Sequence, residues 1–175
     1  RAVTSSSDGT LLAAVVITGQ IYTSVDSGIT WSSVYVSQGA AWQSIASSAS
    51  GSLIVGAIYD GLLYTSTNIG RRWTARDSRR LWTGVASSAD GTKLTAVVYG
   101  GYIYTSIDSG RTWTQRATVK SWSYITSSAD GTKLAAVDND WSAGYVWVSK
   151  DSGVTWTAST GTNNSSGWTS IASDV

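Results

Sequence analysis

At 175 residues the chain is long enough to bury one sizeable core. With 42% hydrophobic and 13% charged residues, and no apolar run near the ~20 residues that cross a bilayer, it reads as one globular domain. The net charge of +1 is too near neutral for a surface that binds phosphate backbones, which argues against nucleic acid as a partner. His, Cys and Pro are absent and so is Glu, which removes the imidazole base, the thiolate nucleophile and the usual zinc ligands; all 11 acidic residues are Asp. The lack of Cys leaves the redox compartment open. Beginning at Arg1 with no apolar leader, the chain reads either as one whose leader has been removed or as a section of a longer polypeptide.

The sequence is repetitive. An apolar residue opens each repeat at Val3, Ile45, Val85, Ile125 and Ile171, a period of about 40 residues. In chain order the repeats are expected at 1–41, 42–81, 82–121 and 122–167, followed by 168–175 as the first strand of a further one. Repeat one opens with Arg1–Ser6 as a first strand, turns at Asp8-Gly9, and carries Ser24-Val25-Asp26-Ser27-Gly28-Ile29-Thr30-Trp31 near its end. Repeat two has Ser66-Thr67-Asn68-Ile69-Gly70-Arg71-Arg72-Trp73 in that place, with Asn for Asp and Arg for Thr.

Repeat three shows the plan most clearly. A first strand, Trp82–Ser87, leads to Ala89-Asp90-Gly91-Thr92, where Asp-Gly between extended segments predicts a hairpin with a primed turn. The second strand, Lys93–Tyr99, sets Leu94, Ala96 and Val98 against Thr95, Val97 and Tyr99 in strict alternation. Gly100-Gly101 turns into a third strand, Tyr102–Ser106, and Asp108-Ser109-Gly110 into a fourth, Thr112–Arg116. Four short strands every ~40 residues, with no helical period, make one blade of a β-propeller. Small residues on the first two strands suit the crowded axis, and the large Trp and Tyr residues suit the wider part.

Repeat four departs from this plan in two loops. Between its second and third strands it runs Asp138-Asn139-Asp140-Trp141-Ser142-Ala143-Gly144, and Thr160–Gly167 lengthens the exit to the next repeat. Loops between strands two and three and loops between blades share one face, the usual ligand face of propellers.

The motif S-x-D-x-G-x-T-W, complete at Ser24–Trp31, Ser106–Trp113 and Ser149–Trp156, resembles the Asp-box of sialidase-like (BNR), sortilin-like and photosystem II assembly factor-like propellers. The resemblance covers nearly the whole chain. It implies an all-β propeller of four-stranded antiparallel blades. Arg1–Ser6 and Trp168–Ser173 both align with a first strand, so four blades plus one extra strand are expected, an arc or part of a larger ring, with a compact closed four-bladed ring as the alternative. The resemblance also implies a rim turn between the third and fourth strands of each blade. There Asp26, Asn68, Asp108 and Asp151 accept backbone N–H groups, Gly28, Gly70, Gly110 and Gly153 take positive φ, and Trp31, Trp73, Trp113 and Trp156 pack into the blade. The boxes are therefore expected to be structural.

The same resemblance raises sialidase chemistry, which brings an Arg triad, a Tyr–Glu pair and an Arg-Ile-Pro motif; with neither Glu nor Pro, the pair and the motif are missing here. A glycosidase of another kind needs two carboxylates about 5–9.5 Å apart. Once boxes and hairpins have used Asp26, Asp108, Asp151, Asp8, Asp90 and Asp130, that leaves Asp60, Asp77, Asp138, Asp140 and Asp174. No catalytic residue, metal or cofactor is expected. Candidate binding residues are Arg76, Arg79 and Arg80, for an anionic glycan or an acidic partner, and Asp138, Asp140 and Trp141, where Asp-x-Asp invites a cation and Trp a sugar or a protein. Arg71 and Arg72 lie on the box turn, about 15 Å from Arg76–Arg80 along the strand, which argues against one compact patch. Asn163 and Asn164 begin overlapping N-x-S sequons, candidate N-glycosylation sites on an exported protein. The reading is a non-catalytic interaction or scaffold propeller, extracellular, with a protein or glycan partner and open to self-association or continuation in a longer chain. The alternatives are a photosystem assembly-factor-like binding protein of the thylakoid lumen and a fragment of a glycan-active enzyme.

Overall fold

The computed structural model describes residues 1–17, 19–140, 144–160 and 167–173. Among these residues there are only strands, turns and coil, and so no helix long and apolar enough to cross a membrane. Blade one is β1 (Ala2–Ser5), β2 (Leu12–Val15), β3 (Gln20–Ser24) and β4 (Ser32–Tyr35), antiparallel in that order. Blade two repeats it with β5 (Trp42–Ser47), β6 (Ile54–Ile58), β7 (Gly61–Ser66) and β8 (Thr74–Arg80).

Blades three and four are joined into one sheet of β9 (Trp82–Ser87), β10 (Leu94–Ser106), β11 (Thr114–Ser127), β12 (Leu134–Asp138), β13 (Val146–Ser149) and β14 (Thr157–Ala158). Two expected strands merge in β10, whose Leu94–Val98 half pairs with β9 and whose Gly101–Thr105 half pairs with β11. The hinge is Gly100, at a φ of 64° that only glycine adopts at no steric cost, so the chain turns without leaving the ladder. β11 similarly ends blade three and begins blade four, passing from β10 to β12.

The turns differ from the expectation in an informative way. At Asp90-Gly91 only the glycine has positive φ (73°), so the hairpin is not primed. The primed turn is in the box, where both central residues are left-handed: Ser27 at 59° and Gly28 at 86°. Trp168–Ser173 lies in the first-strand position of a fifth blade, held by Ser123 Oγ donating to the Trp168 carbonyl (2.6 Å) and Ser173 Oγ to the Ser127 carbonyl (2.8 Å). Its described residues form no ladder.

Blades stack through three apolar layers. Ala13, Val15 and Ile21 of blade one meet Trp42, Ile45 and Ile54 of blade two. Leu53, Val55 and Leu63 of blade two meet Trp82, Val85 and Leu94 of blade three. Val97 and Ile103 of blade three meet Trp122, Ile125 and Ala136 of blade four. Trp42, Trp82 and Trp122 are fully buried although they open the innermost strands. Their rings reach outward, Trp82 edge-on to Tyr104 at 5.3 Å, and Trp122 to Trp147 at 5.9 Å and Trp156 at 6.3 Å. Backbone bonds also link the blades: Ser7 N–H to the Ala49 carbonyl (2.8 Å), Ala49 to Ala89 (2.8 Å) and Ala89 to Ala129 (2.7 Å).

The box glycines are seats as well as turns. A Cβ on Gly70, Gly110 or Gly153 would stand 2.6, 2.8 or 2.7 Å from Cγ2 of Thr23, Thr65 or Thr105 on the preceding blade. A Cβ on Gly28 would meet Leu12 and Trp31 of its own blade. Gly28→Ala and Gly110→Ala carry the same left-handed strain, but only the second drives a methyl into a neighbouring blade. Gly110→Ala is expected to cost at least about 1 kcal/mol more than Gly28→Ala, a gap measurable as the difference in urea unfolding free energy. Equal losses would mean that the box glycines serve their own turns alone.

Candidate functional site

Each box is a closed hydrogen-bond circuit. In blade three Ser106 Oγ donates to Asp108 Oδ1 (2.7 Å), Thr112 N–H to the same oxygen (2.9 Å) and Thr112 Oγ1 to Oδ2 (2.6 Å). Gly110 N–H returns to Ser106 Oγ (2.9 Å), and Trp113 Nε1 donates to the Gly110 carbonyl (3.1 Å). Asp26 and Asp151 repeat the pattern. Asn68 keeps the bonds from Ser66 Oγ (3.0 Å) and Arg72 N–H (2.8 Å), but Arg72 has no hydroxyl to complete the circuit. The hairpin aspartates form a second version, with Ser88 Oγ to Asp90 Oδ1 (2.6 Å) and Thr92 Oγ1 to Oδ2 (2.8 Å), repeated at Asp8 and Asp130. Hydrogen bonds from Thr30, Thr112 and Thr155 hold Asp26, Asp108 and Asp151 at about 2, against an ordinary 3.8. Those from Ser6 and Ser88 do the same for Asp8 and Asp90, and Ser128 lowers Asp130 further.

The arginines are separated by function within the fold. Arg76 Nε donates to Thr65 Oγ1 (2.8 Å), a contact that Arg116 and Thr105 repeat one blade later (3.1 Å), so Arg76 braces its own blade. Arg80 lies 4.5 Å from the Tyr104 ring centroid and 5.8 Å from that of Trp82, with Asp77 at 3.7 Å. Lys120 holds the matching place 4.5 Å from the Trp147 ring. Both cations therefore clamp a blade onto the next. Arg79 stands in solvent, in a bidentate pair with Asp60 (2.9 and 2.7 Å) that holds the Asp60 carboxyl below its usual range. Such an exposed pair adds little stability.

Asp138 is buried, 1% exposed, and committed to structure. Its carboxylate accepts from Tyr145 N–H (2.8 Å) and Trp147 Nε1 (2.8 Å) and faces Lys120 Nζ at 3.6 Å. Asp140 is exposed beside it and borders a groove of about 270 Å³ with Gly100, Val119, Lys120 and Ser121. Trp141, Asn163, Asn164 and Asp174 lie outside the described residues. Among the described residues no three His, Cys, Asp or Glu side chains converge.

What the motif reading passed over is a row of exposed aromatics. Tyr59 and Tyr99 occupy the same turn position in blades two and three. Each donates its N–H to the connection before its own first strand, at the Ala41 and Leu81 carbonyls (2.8 and 2.9 Å), and Asn139 repeats this on Ser121 in blade four (2.7 Å). These bonds place the strand two–three loops and the inter-blade connections on one face. There Ile17, Tyr35, Tyr59 and Tyr99 present 58%, 57%, 37% and 43% of their surface, far more than the aromatics between blades. Tyr59, Asp60 and Arg79 also border a groove of about 470 Å³ with Gln38, Ala41 and Tyr64. The available signal was the repeated Tyr-x-Gly at Tyr59-Asp60-Gly61 and Tyr99-Gly100-Gly101.

No family model matches the chain, and no curated protein matches it. Among solved structures it is similar to a GH74 enzyme of Niastella koreensis, with a TM-score of 0.69 and 18% identity over 90% of this chain and 24% of that one. It is also similar to an ancestral GH74 enzyme, at 0.68 and 17% over 87% and 24%. A third is YCF48 bound to a D1 peptide, at 0.56 and 12% over 92% and 82%. The fold is that of a β-propeller. The chain spans 24% of the length of each GH74 enzyme, and at these identities the likeness carries the fold alone.

The boxes make stability depend on acid. Their carboxylates have folded-state values near 2, below the unfolded 3.8, so their contribution is complete above about pH 4 and is lost as pH falls toward 2. The urea midpoint is expected to hold level from neutral pH down to about pH 4 and then drop steeply toward 2. A midpoint unchanged across that lower interval would separate the boxes from stability.

Proposed function

We propose that this chain is a non-catalytic propeller module, working outside the cytoplasm, that engages a protein or peptide through its strand two–three loop face. The observation that carries the proposal is the exposed row Ile17, Tyr35, Tyr59 and Tyr99 on one face, bordered by Arg79, Asp60 and Asp140. Tyrosines with an apolar body, a polar tip and few rotatable bonds, set among charges, are the composition of a peptide-contacting surface. YCF48 bound to a D1 peptide is a propeller of similar fold in a peptide complex, which supports this choice and keeps an assembly-factor-like role in the thylakoid lumen as its nearest variant.

The glycan-active alternative draws on the likeness to GH74 enzymes. Hydrolysis needs two free carboxylates facing one bond. Six aspartates here are bound into turns, Asp60 is paired with Arg79, Asp77 faces Arg80, and Asp138 is buried against Lys120. That commitment of acids weighs against catalysis by the described residues.

Random peptides displayed on phage and selected on the purified chain test the proposal. Selected peptides are expected to lose at least about tenfold in affinity for a Tyr59→Ser/Tyr99→Ser variant, since exposed aromatics of this kind are the usual hot spots. Equal binding to both forms would move the site elsewhere, and turnover of chromogenic glycosides by the wild-type chain would replace the reading with an enzymatic one.

A further inference from the structure

Two of the three inter-blade connections lay a cation on an aromatic ring of the blade that follows. Arg80, two residues before Trp82, lies 4.5 Å from the Tyr104 centroid and has Asp77 at 3.7 Å. Lys120, two residues before Trp122, lies 4.5 Å from the Trp147 centroid and has Asp138 at 3.6 Å. Ring, cation and carboxylate recur as a set. The same connections bring a carbonyl to the first-strand tryptophan, Trp82 Nε1 donating to Ser78 (3.4 Å) and Trp122 Nε1 to Thr118 (3.3 Å). Each carries a left-handed residue at the corresponding place, Asp77 (φ 50°) and Ala117 (φ 57°).

The connection between blades one and two supplies neither part. From Trp31 to Trp42 it is two residues longer than from Trp73 to Trp82 or from Trp113 to Trp122, and its left-handed residue is Gly39 (φ 68°), nearer the tryptophan. Ala40 stands in the place of Arg80 and Lys120, 4% exposed, with its carbonyl taken by Gly19 N–H (3.1 Å). The aromatic pair is nevertheless kept: Trp42 and Tyr64 meet edge-on at 5.7 Å, as Trp82 and Tyr104 do at 5.3 Å. Among the described residues no cation lies over Tyr64, and the buried Trp42 Nε1 has no hydrogen-bond acceptor. Tyr104 beneath Arg80 is 5% exposed, whereas Tyr64 is half-buried and lines the groove of about 470 Å³ together with Ala40, Ile58 and Asp60. Asp60 thus brings a carboxylate to the same groove, where Arg79 holds it at 2.7 Å.

We propose that this groove binds an arginine side chain of the peptide partner, its guanidinium lying on Tyr64 as Arg80 lies on Tyr104 and sharing Asp60 with Arg79. The inference rests on the loop-face reading for its partner and adds the side chain that this partner carries. Arginine is chosen over lysine because Trp42 and Tyr64 form the same pair as Trp82 and Tyr104, which take Arg80, whereas Lys120 faces a tryptophan at the Tyr104 position. A planar, weakly hydrated guanidinium stacks on a ring while its edge donates to a carboxylate. A carboxylate also has acceptor sites to spare for a second guanidinium. The residues lining the groove run from Ser37 to Arg79, so blades one and two build it between them. An acidic peptide drawn to Arg79 is the opposite outcome, and one variant separates the two.

The test titrates the isotope-labelled chain with N-acetyl-arginine N-methylamide and with its citrulline counterpart, which has the same shape and no charge. The arginine probe is expected to shift the Trp42 indole N–H resonance, and the citrulline probe to bind at least about fivefold more weakly. Tyr64→Leu and Asp60→Asn are each expected to weaken the arginine probe at least about threefold. Should Tyr64→Leu fail to fold, the exposed Asp60→Asn carries the test. Arg79→Gln releases Asp60 and is expected to bind the arginine probe at least as tightly as the wild type, where an anion site would be lost. Equal binding of the two probes, binding of neither, loss of the arginine probe in Arg79→Gln, or binding that survives both Tyr64→Leu and Asp60→Asn overturns the inference. Phage-selected peptides that need Tyr59 and Tyr99 but bind equally well with citrulline in place of arginine overturn it too, and leave the loop-face reading standing. An arginine probe that binds as expected while no peptide can be selected removes the loop-face reading and leaves the groove.

Discussion

A seryl hydroxyl, a carboxylate and a glycine at alternate positions, closed by a threonine, do two jobs at once in the boxes of blades three and four. The carboxylate of Asp108 gathers Ser106 and the backbone of Thr112 into a turn whose two central residues are both left-handed. That geometry delivers Gly110 to a distance from Thr65 that admits no side chain. A local circuit thus sets the spacing between sheets. The hairpin aspartates do the same at the neighbouring turn, so each blade rests on its predecessor at two glycines with buried Trp, Val, Ile and Leu side chains beneath them. This constraint also accounts for where polarity went. Six of the acids are bound in turns while the layers between blades are apolar, and among the described residues Asp138 is the buried carboxylate, satisfied by two N–H donors and Lys120.

The interface is directional. A blade gives glycine turns and a first-strand Trp to the blade before it, and offers threonine and small apolar positions to the blade after it. Arg80 and Lys120 reinforce the direction by lying on aromatic rings of the following blade. The strand two–three loops are relieved of this duty. In blades two, three and four each is tied by a backbone bond to the connection before the first strand, and Tyr59 and Tyr99 stand in solvent. That separation is why these side chains stay in solvent: the stacking does not consume them.

Much of this was legible in the residues. The period, the four strands per repeat, the box turns and the commitment of six aspartates follow from short-range patterns, because each is completed by atoms within five residues of chain. Three features were not. The primed turn belongs to the box and not to the Asp-Gly hairpin: the carboxylate accepts from the N–H two residues on in the hairpin and four residues on in the box, so different residues fall at the glycine. The arginine run dissolves into one brace, one clamp and one exposed pair, because each guanidinium finds its partner on a different element: Arg76 on Thr65, Arg80 on Tyr104 of the next blade and Arg79 on Asp60. Asp138 reads from sequence as a solvent ligand beside Asp140, yet it is the buried partner of Lys120 from the preceding connection.

By itself, then, the sequence determined what is local: blade length, turn chemistry, the absence of the commonest catalytic groups, and alternation that buries both faces of each sheet. Only the tertiary structure decided which glycine touches which threonine, which cation covers which ring, and which tyrosines remain in solvent. The physical reason is range. Backbone dihedrals and side-chain circuits answer to neighbours in the chain, whereas burial and cation–π contact depend on residues about one repeat away, whose positions exist only after the blades have stacked.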